Sequence, residues 1–332
     1  MNKQDVVNVI LSDRKNGMAS TTPVTAFAPT NIALCKYWGK RDVELNLPVT
    51  SSLSVSLGKK GASTTLSVIE GAADKAILNH QSVDTASDFY KRLVHFLDLF
   101  RIDPRMRFCV DIESNIPIAA GLASSACGFA ALALVLNTLF QWELHSHELS
   151  ILARLGSGSA CRSIWPGFVE WEAGVRNDGM DSVGKMIPEV WPELCIGLLM
   201  VSEQTKKISS REAMQRTVET SRLYDAWPMQ VAQDLRSIKD AIRDQDFSVL
   251  GKAAESNAMA MHGLMLSAWP PVSYFLPETV TSMQSIWSHR EKGLHLYFTQ
   301  DAGPNLKLLF LEKDKAAVQS LFPSVDVVQP FL

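Results

Sequence analysis

Short runs in which apolar and polar residues alternate fill the chain from about residue 24 to 115, in SSLSVSL, STTLSVI and FCVDIES. A period of two marks strands with one buried face. One helix, about Ser87 to Phe100, interrupts them. Ser125 to Leu139 and the following HELSILARLG predict two more helices, the second capped by Ser146 and stopped at Gly156. Strands return in FVEWEAG and CIGLLMVS. From Ser209 onward the pattern is mainly helical through REAMQRTVETSRLYDAW, MQVAQDLRSIKDAIRDQD and FSVLGKAAESNAMAMHGLML, then a strand in LHLYFTQDAG, a terminal helix and a terminal strand.

Strand-rich sequence gives way to helix-rich sequence near residue 200, and no internal repeat is present. At 332 residues the chain exceeds what one core usually organises. The expectation is an α+β protein of two domains, 23–200 and 201–332. Residues 1–22 are polar, punctuated by Asn16-Gly17 and Thr21-Thr22-Pro23, and predict a tail or loosely docked arm. Removing residues 1–18 is therefore expected to leave activity nearly unchanged.

Composition narrows the function. The chain is 46% apolar and 20% charged, as an ordinary globular protein is. A net charge of -3 and an isoelectric point near 6.2 supply no basic field for nucleic acid or an anionic membrane. Bound anions must be held by a local pocket. Five scattered cysteines without a CxxC pair fit buried thiols in a reducing cytoplasm. The seven histidines show no metal-ligand spacing, so any metal is expected to arrive with phosphate. Ile118 to Phe140 carries no charge and meets the length rule for a membrane span. Its Gly/Ser/Ala start after Pro117 and its acidic flanks, Glu113 and Glu143, read better as a loop entering a buried helix.

Two nucleotide-loop matches fail on chemistry. Gly179 to Lys185 fits GxxxxGK, but Met186 stands where Ser or Thr must hold magnesium. Gly156-Ser157-Gly158 follows a helix and lacks the third glycine of a dinucleotide fingerprint. The stronger phosphate loop is Pro117 to Ala126, between a strand and an apolar helix. There the small residues Gly121, Leu122, Ala123, Ser124 and Ser125 would let backbone N–H groups and hydroxyls meet phosphate oxygens. The plain alternative for this segment is a Gly/Ser turn capping a core helix.

The PxxxGLxSSA pattern resembles the phosphate loop of the GHMP superfamily of small-molecule kinases. Within it, Ala28-Pro-Thr-Asn31-Ile-Ala33-Leu-Cys-Lys36-Tyr37-Trp38-Gly39-Lys40-Arg41 resembles the N-terminal signature of the diphosphomevalonate decarboxylase branch. Leu45 to Pro48, Ser51 to Ser54, Gly156 to Ser163, Val201-Ser202 with Ser209-Ser210-Arg211, and Asp301-Ala-Gly-Pro-Asn305 continue it in family order. Pro166, Ala213 and the extra N-terminal segment depart from the pattern. The resemblance implies a two-domain GHMP fold, with a ribosomal-protein-S5-like N-terminal domain, a ferredoxin-like C-terminal domain and the active site in the cleft between them.

The resemblance also implies an activity: ATP-dependent decarboxylation of mevalonate 5-diphosphate to isopentenyl diphosphate, with ATP as co-substrate, Mg2+ on its phosphates and possible help from Ser125. It implies a cytoplasmic homodimer without nucleic-acid or membrane partners. By resemblance, Tyr37, Lys40, Ser157, Ser159 and Arg162 grip the substrate. Gly121 to Ser125, Ser210 and Arg211 meet phosphate, and Asp301, Lys40 and Arg162 form the reacting end. Asp301 would accept the proton or the hydrogen bond of the 3-hydroxyl. A 3-kinase of the mevalonate type, a decarboxylase of the monophosphate and a non-catalytic ATP-binding protein remain as alternatives.

Overall fold

The computed structural model describes residues 1–12, 14, 19–116, 124–204 and 206–332, and of Ser124 only the backbone. The predicted phosphate-loop residues Gly121, Leu122 and Ala123 lie outside the described residues.

The chain opens on a helix, α1 (Lys3–Leu11), where an arm was expected. Asn2 caps it, accepting from the Asp5 N–H at 2.9 Å, while the Asp5 carboxylate accepts from the Asn2 N–H at 2.8 Å. Val6, Val7, Ile10 and Leu11 share one helical face and are buried in the main core. Each such side chain contributes about 1.5–3 kcal/mol. Gln4 also donates to the Leu99 carbonyl at 3.1 Å, and the Ser20 N–H to the Leu139 carbonyl at 2.7 Å. The expectation of a loosely docked arm is corrected: a short apolar run between charges is enough for a helical face once a core lies beneath it.

The first layer contains strands β1 (Val24–Cys35), β2 (Lys40–Asp42), β3 (Leu47–Pro48), β4 (Ser52–Ile69), β5 (Lys75–Leu78) and β6 (Gln81–Ser82). Helix α2 (Asp88–Asp98), strand β7 (Arg107–Ser114), helices α3 (Ser124–Phe140) and α4 (Ser146–Gly156), and strands β8 (Phe168–Trp171) and β9 (Gly184–Ile187) follow. The large sheet runs β6-β5-β7-β4-β8-β9, with β1 also antiparallel to β4, and β2 pairs β3 separately. One edge of the long β4 carries β8 on its first half and β7 on its second. Residues 52, 54 and 56 of β4 therefore share a face. Helix α3, almost wholly buried, packs on β1 and β4. Among the described residues no helix is long and apolar enough to cross a membrane. Ser146 is the first residue of α4 and not its cap; Glu148 instead receives the His145 N–H at 2.8 Å.

The second layer comprises β10 (Leu194–Leu199), α5 (Ser210–Thr220), α6 (Trp227–Asp244), α7 (Phe247–Leu266), α8 (Pro277–Glu291), β11 (Tyr297–Gln300), β12 (Leu306–Leu311), α9 (Lys315–Leu321) and β13 (Asp326–Val328). Its antiparallel sheet runs β11-β12-β10-β13. Strand β10, expected in the first domain, belongs to this sheet, which thus starts before residue 200. Helix α8 was not anticipated. Its buried Met283 and Ile286 pack with Phe298, Leu308 and Phe310 in a separate apolar cluster. The architecture is the expected mixed α+β arrangement of two domains, and α6 and α7 lie against β1 so that one continuous core joins them.

Candidate active site

The end of β1 meets the turn after β11 at a buried ionic centre. Lys36 Nζ lies 2.8 Å from Asp301 Oδ1 and 2.8 Å from the Ala33 carbonyl. Lys307 Nζ, from β12, lies 3.2 Å from Asp301 Oδ2. The lysine side chains are 2% and 1% exposed, whereas Asp301 is 23% exposed, toward a cleft of about 550 Å³. Burial alone would raise the Asp301 carboxyl. The charges of Lys307 and Lys36 outweigh it and hold the group well below the usual carboxylate range. Burial lowers Lys36, and Asp301 opposes that fall. Asn257 of α7 fixes the strand end by accepting the Lys36 N–H at 2.7 Å.

Beside this centre, Arg162 stands in the short helical turn Gly158–Ile164, 3% exposed. Its guanidinium donates to Ser52 Oγ at 2.6 Å and Ser54 Oγ at 3.0 Å, with Asn31 Oδ1 at 3.4 Å. These partners are neutral. Ser52 and Ser54 reach it together because alternate strand residues point the same way. Tyr37 packs edge-on to Trp171 at 4.7 Å, and its buried hydroxyl has no hydrogen-bond partner among the described residues. A Cβ on Gly158 would stand 3.0 Å from the Tyr37 ring and 2.9 Å from Trp171, so only glycine allows this close approach. An orphaned hydroxyl, a buried guanidinium without a counter-charge and hydroxyl-rich walls fit a polyanionic ligand.

The N-termini of α3 and α5 border the same cleft and present Ser125 and the group Ser209, Ser210 and Arg211. Ser125 Oγ is 3.3 Å from Ser157 Oγ, and the Ser159 carbonyl accepts from Asn31 at 3.3 Å. Ser209 caps α5 by accepting the Glu212 N–H at 3.1 Å, which leaves Ser210 exposed on the first turn. Lys206 donates to the Ala302 carbonyl at 2.8 Å. Asn305 ties the two loops together: its Oδ1 accepts from the Val201 and Ser202 N–H groups at 2.7 and 2.9 Å.

Tyr37, Lys40, Ser125, Ser157, Ser159, Arg162, Ser210, Arg211 and Asp301 all line this one cleft. The partners of Asp301, however, are Lys36 and Lys307 and not Lys40. Lys40 donates to Asn46 Oδ1 at 2.6 Å. Burial, then the charges of Arg211, Lys3 and Arg92, lower it to about 8. Lys36, Lys307, Lys206 and Arg92 had no role in the sequence reading. Lys36 sits inside the N-terminal signature, and Lys307 is a lone charge in the apolar strand LKLLFL, which is the signal that would have marked it. Burial pushes the Cys35 and Cys161 thiols up to about 12, as inert core groups.

Comparison with known proteins agrees over both halves. Residues 28–184 match the model of the diphosphomevalonate decarboxylase-like N-terminal domain, and residues 196–329 that of the mevalonate 5-diphosphate decarboxylase C-terminal domain. A diphosphomevalonate decarboxylase of Aspergillus fumigatus is 37% identical, over 95% of this chain and 82% of its own length. The enzyme of Bos taurus is 36% identical, over 92% of this chain and 83% of its own length. Among solved structures, MDDEF in complex with MVAPP, AMPPCP and magnesium superposes with a TM-score of 0.87 at 39% identity, covering 93% of this chain and 97% of that one. Mevalonate diphosphate decarboxylase from Staphylococcus aureus gives 0.86 at 35%, covering 92% and 95%. Matched through both domains and in order, the chain belongs to the diphosphomevalonate decarboxylase family.

Proposed function

We propose that this chain catalyses the ATP-dependent decarboxylation of mevalonate 5-diphosphate to isopentenyl diphosphate, releasing ADP, phosphate and carbon dioxide. One observation carries the reading. A buried Arg162 guanidinium with only neutral partners faces the same cleft as an Asp301 carboxylate already balanced by Lys36 and Lys307. The first is suited to a substrate carboxylate, and the second to a hydroxyl that must be oriented.

The 3-hydroxyl oxygen attacks the γ-phosphorus of ATP, and ADP leaves. The new phosphate ester then departs with the C3–O electron pair. The electrons of the C1–C2 bond form the C2–C3 double bond as carbon dioxide is lost. Asp301, held ionised but weakly basic by its two lysines, accepts the hydroxyl hydrogen bond and takes the proton only as the oxygen–phosphorus bond forms. Arg162 holds the substrate carboxylate through its planar fork. Tyr37, Ser157 and Ser159 donate to substrate oxygens, and Ser125, Lys206 and Ser210 meet ATP phosphates. Among the described residues no three His, Cys, Asp or Glu side chains gather as a metal nest. The cationic groups instead fit the ATP phosphates, and the Ser125 hydroxyl is a candidate contact for magnesium carried on them, where the ion would neutralise charge on the transferring phosphoryl group.

Purified protein incubated with ATP, magnesium and either mevalonate, its 5-phosphate or its 5-diphosphate tests the reading by product identification. Isopentenyl diphosphate and carbon dioxide from the 5-diphosphate are expected. A stable 3-phospho product would make the chain a kinase, and turnover of the monophosphate alone would reassign the substrate.

A further inference from the structure

A smaller cavity of about 330 Å³ adjoins the cleft and shares Lys40, Asn46, Arg92 and Arg211 with it. Lys3, from α1, also lines this chamber. We propose that Lys3 completes a four-cation socket, with Lys40, Arg92 and Arg211, for the terminal diphosphate of the substrate, making the N-terminal helix part of the active site. This rests on the decarboxylase reading for the identity of the ligand, not for the existence of the socket.

Four separate elements, α1, β2, α2 and α5, bring these cations to one space. Glu44 and Asp88 stand nearby, yet among the described residues no carboxylate lies within 4 Å of any of the four ammonium or guanidinium groups. Elsewhere the buried cations Lys36, Lys307 and Arg101 are paired with acids, and the buried Arg162 is held by several hydroxyl and amide oxygens. Leaving four like charges together is unfavourable until an anion joins them. Lys3 and Lys40 are both lowered, by burial first and then by neighbouring cations, as expected of a site waiting for negative charge. Phe96, Leu99 and Leu155 add apolar surface to the chamber, where Lys3, Lys40 and Arg92 are half-buried and Arg211 is exposed.

The placement of Lys3 is fixed. Its helix is capped by Asn2, tied to Leu99 through Gln4 and anchored by buried Val6 and Val7. The matched N-terminal domain begins only at residue 28, so Lys3 comes from outside it. None of the four cations contacts Asp301, whose carboxylate marks the reacting carbon. The socket therefore suits the far end of the substrate, its 5-diphosphate, better than the phosphate being transferred.

Inorganic diphosphate is the direct probe, read by calorimetry on the full chain with Lys3→Ala, Lys3→Met and Lys3→Arg, each checked by melting temperature. The wild type is expected to bind it. Lys3→Ala and Lys3→Met should weaken binding about tenfold and Lys3→Arg should restore it, as loss and return of a charge-assisted contact predict. In turnover, the KM for mevalonate 5-diphosphate should rise about tenfold in Lys3→Ala, with kcat and the KM for ATP nearly unchanged. Unchanged diphosphate affinity in the folded Lys3→Ala and Lys3→Met proteins overturns the proposal. So does a rise confined to the KM for ATP, which would place the nucleotide in the socket. A wild type that binds diphosphate through Lys3 but releases no carbon dioxide leaves the socket standing and sinks the decarboxylase reading alone.

Discussion

The two ends of the cleft handle charge in opposite ways. At one end Asp301 is matched by Lys36 and Lys307, within 2.8 and 3.2 Å, before any ligand arrives. At the other, Lys3, Lys40, Arg92 and Arg211 face a shared space, and among the described residues no carboxylate lies within 4 Å of their charged groups. A balanced centre stays rigid and keeps one carboxylate ionised, which suits a step where geometry decides the rate. An unbalanced centre stores repulsion that an anion relieves, which suits binding. Arg162 lies between these extremes, buried and, among the described residues, hydrogen-bonded to hydroxyl and amide oxygens alone.

The largest effect should come from breaking the balanced end. Asp301→Asn removes the charge and the proton acceptor, and turnover is expected to fall about 10² to 10⁴-fold. The substitution also strands two buried lysines, at a cost of about 3 kcal/mol. Because the Asp301 carboxyl is depressed, its contribution to stability is present above the unfolded-state value and is lost as the pH falls through the lower folded value. Single-turnover phosphoryl transfer and melting temperature on one preparation separate the two effects. Normal transfer in the folded variant would remove Asp301 from the chemistry.

Next in size, Arg162→Lys keeps the charge but loses the fork, and kcat/KM for the 5-diphosphate should fall about 10²-fold, the cost of a misplaced reactant. Wild-type kinetics would take Arg162 out of the site.

The unbalanced end should show itself through pH. Lys40 is lowered to about 8 and binds anions only when protonated. Thus kcat/KM, which reports the free enzyme, should decline as the pH rises through about 8. Lys40→Arg, charged throughout, should move that limb upward. A decline at the same pH in the variant would assign it to another group. Smallest of all, Ser52→Ala leaves Arg162 with Ser54 and Asn31, and should cost about 1 kcal/mol, roughly fivefold in kcat/KM.

The same contrast separates what the sequence discloses from what it hides. Tyr37, Ser157, Ser159, Arg162 and Asp301 lie in short motifs whose residue types already advertise anion chemistry, and the structure gathers them around one cleft. Helices α2, α3 and α7 were legible because each carries a long apolar face or a recognisable cap. Partnership across the fold was not legible. Lys307 becomes the partner of Asp301 only because β12 pairs β11 in the register that opposes Lys307 to Thr299. Strand β10 joins the second sheet through pairings with residues more than a hundred positions away. Helix α1 reads as polar because four of its five apolar side chains become a docking face only over a core the local sequence does not contain. That docking predicts a lower melting temperature when residues 1–18 are removed, and turnover of the truncated chain tests the expectation that its activity stays nearly unchanged.

The central claim is that one cleft couples phosphoryl transfer at the Asp301 end to loss of carbon dioxide from a substrate anchored at the cationic end. Rapid-quench single turnover with γ-labelled ATP and mevalonate 5-diphosphate labelled at the carboxyl carbon tests it most directly. Labelled phosphate and labelled carbon dioxide should be released in equal amounts, one of each per ATP consumed. A labelled 3-phospho product that persists, with the carboxyl carbon still attached, would contradict it.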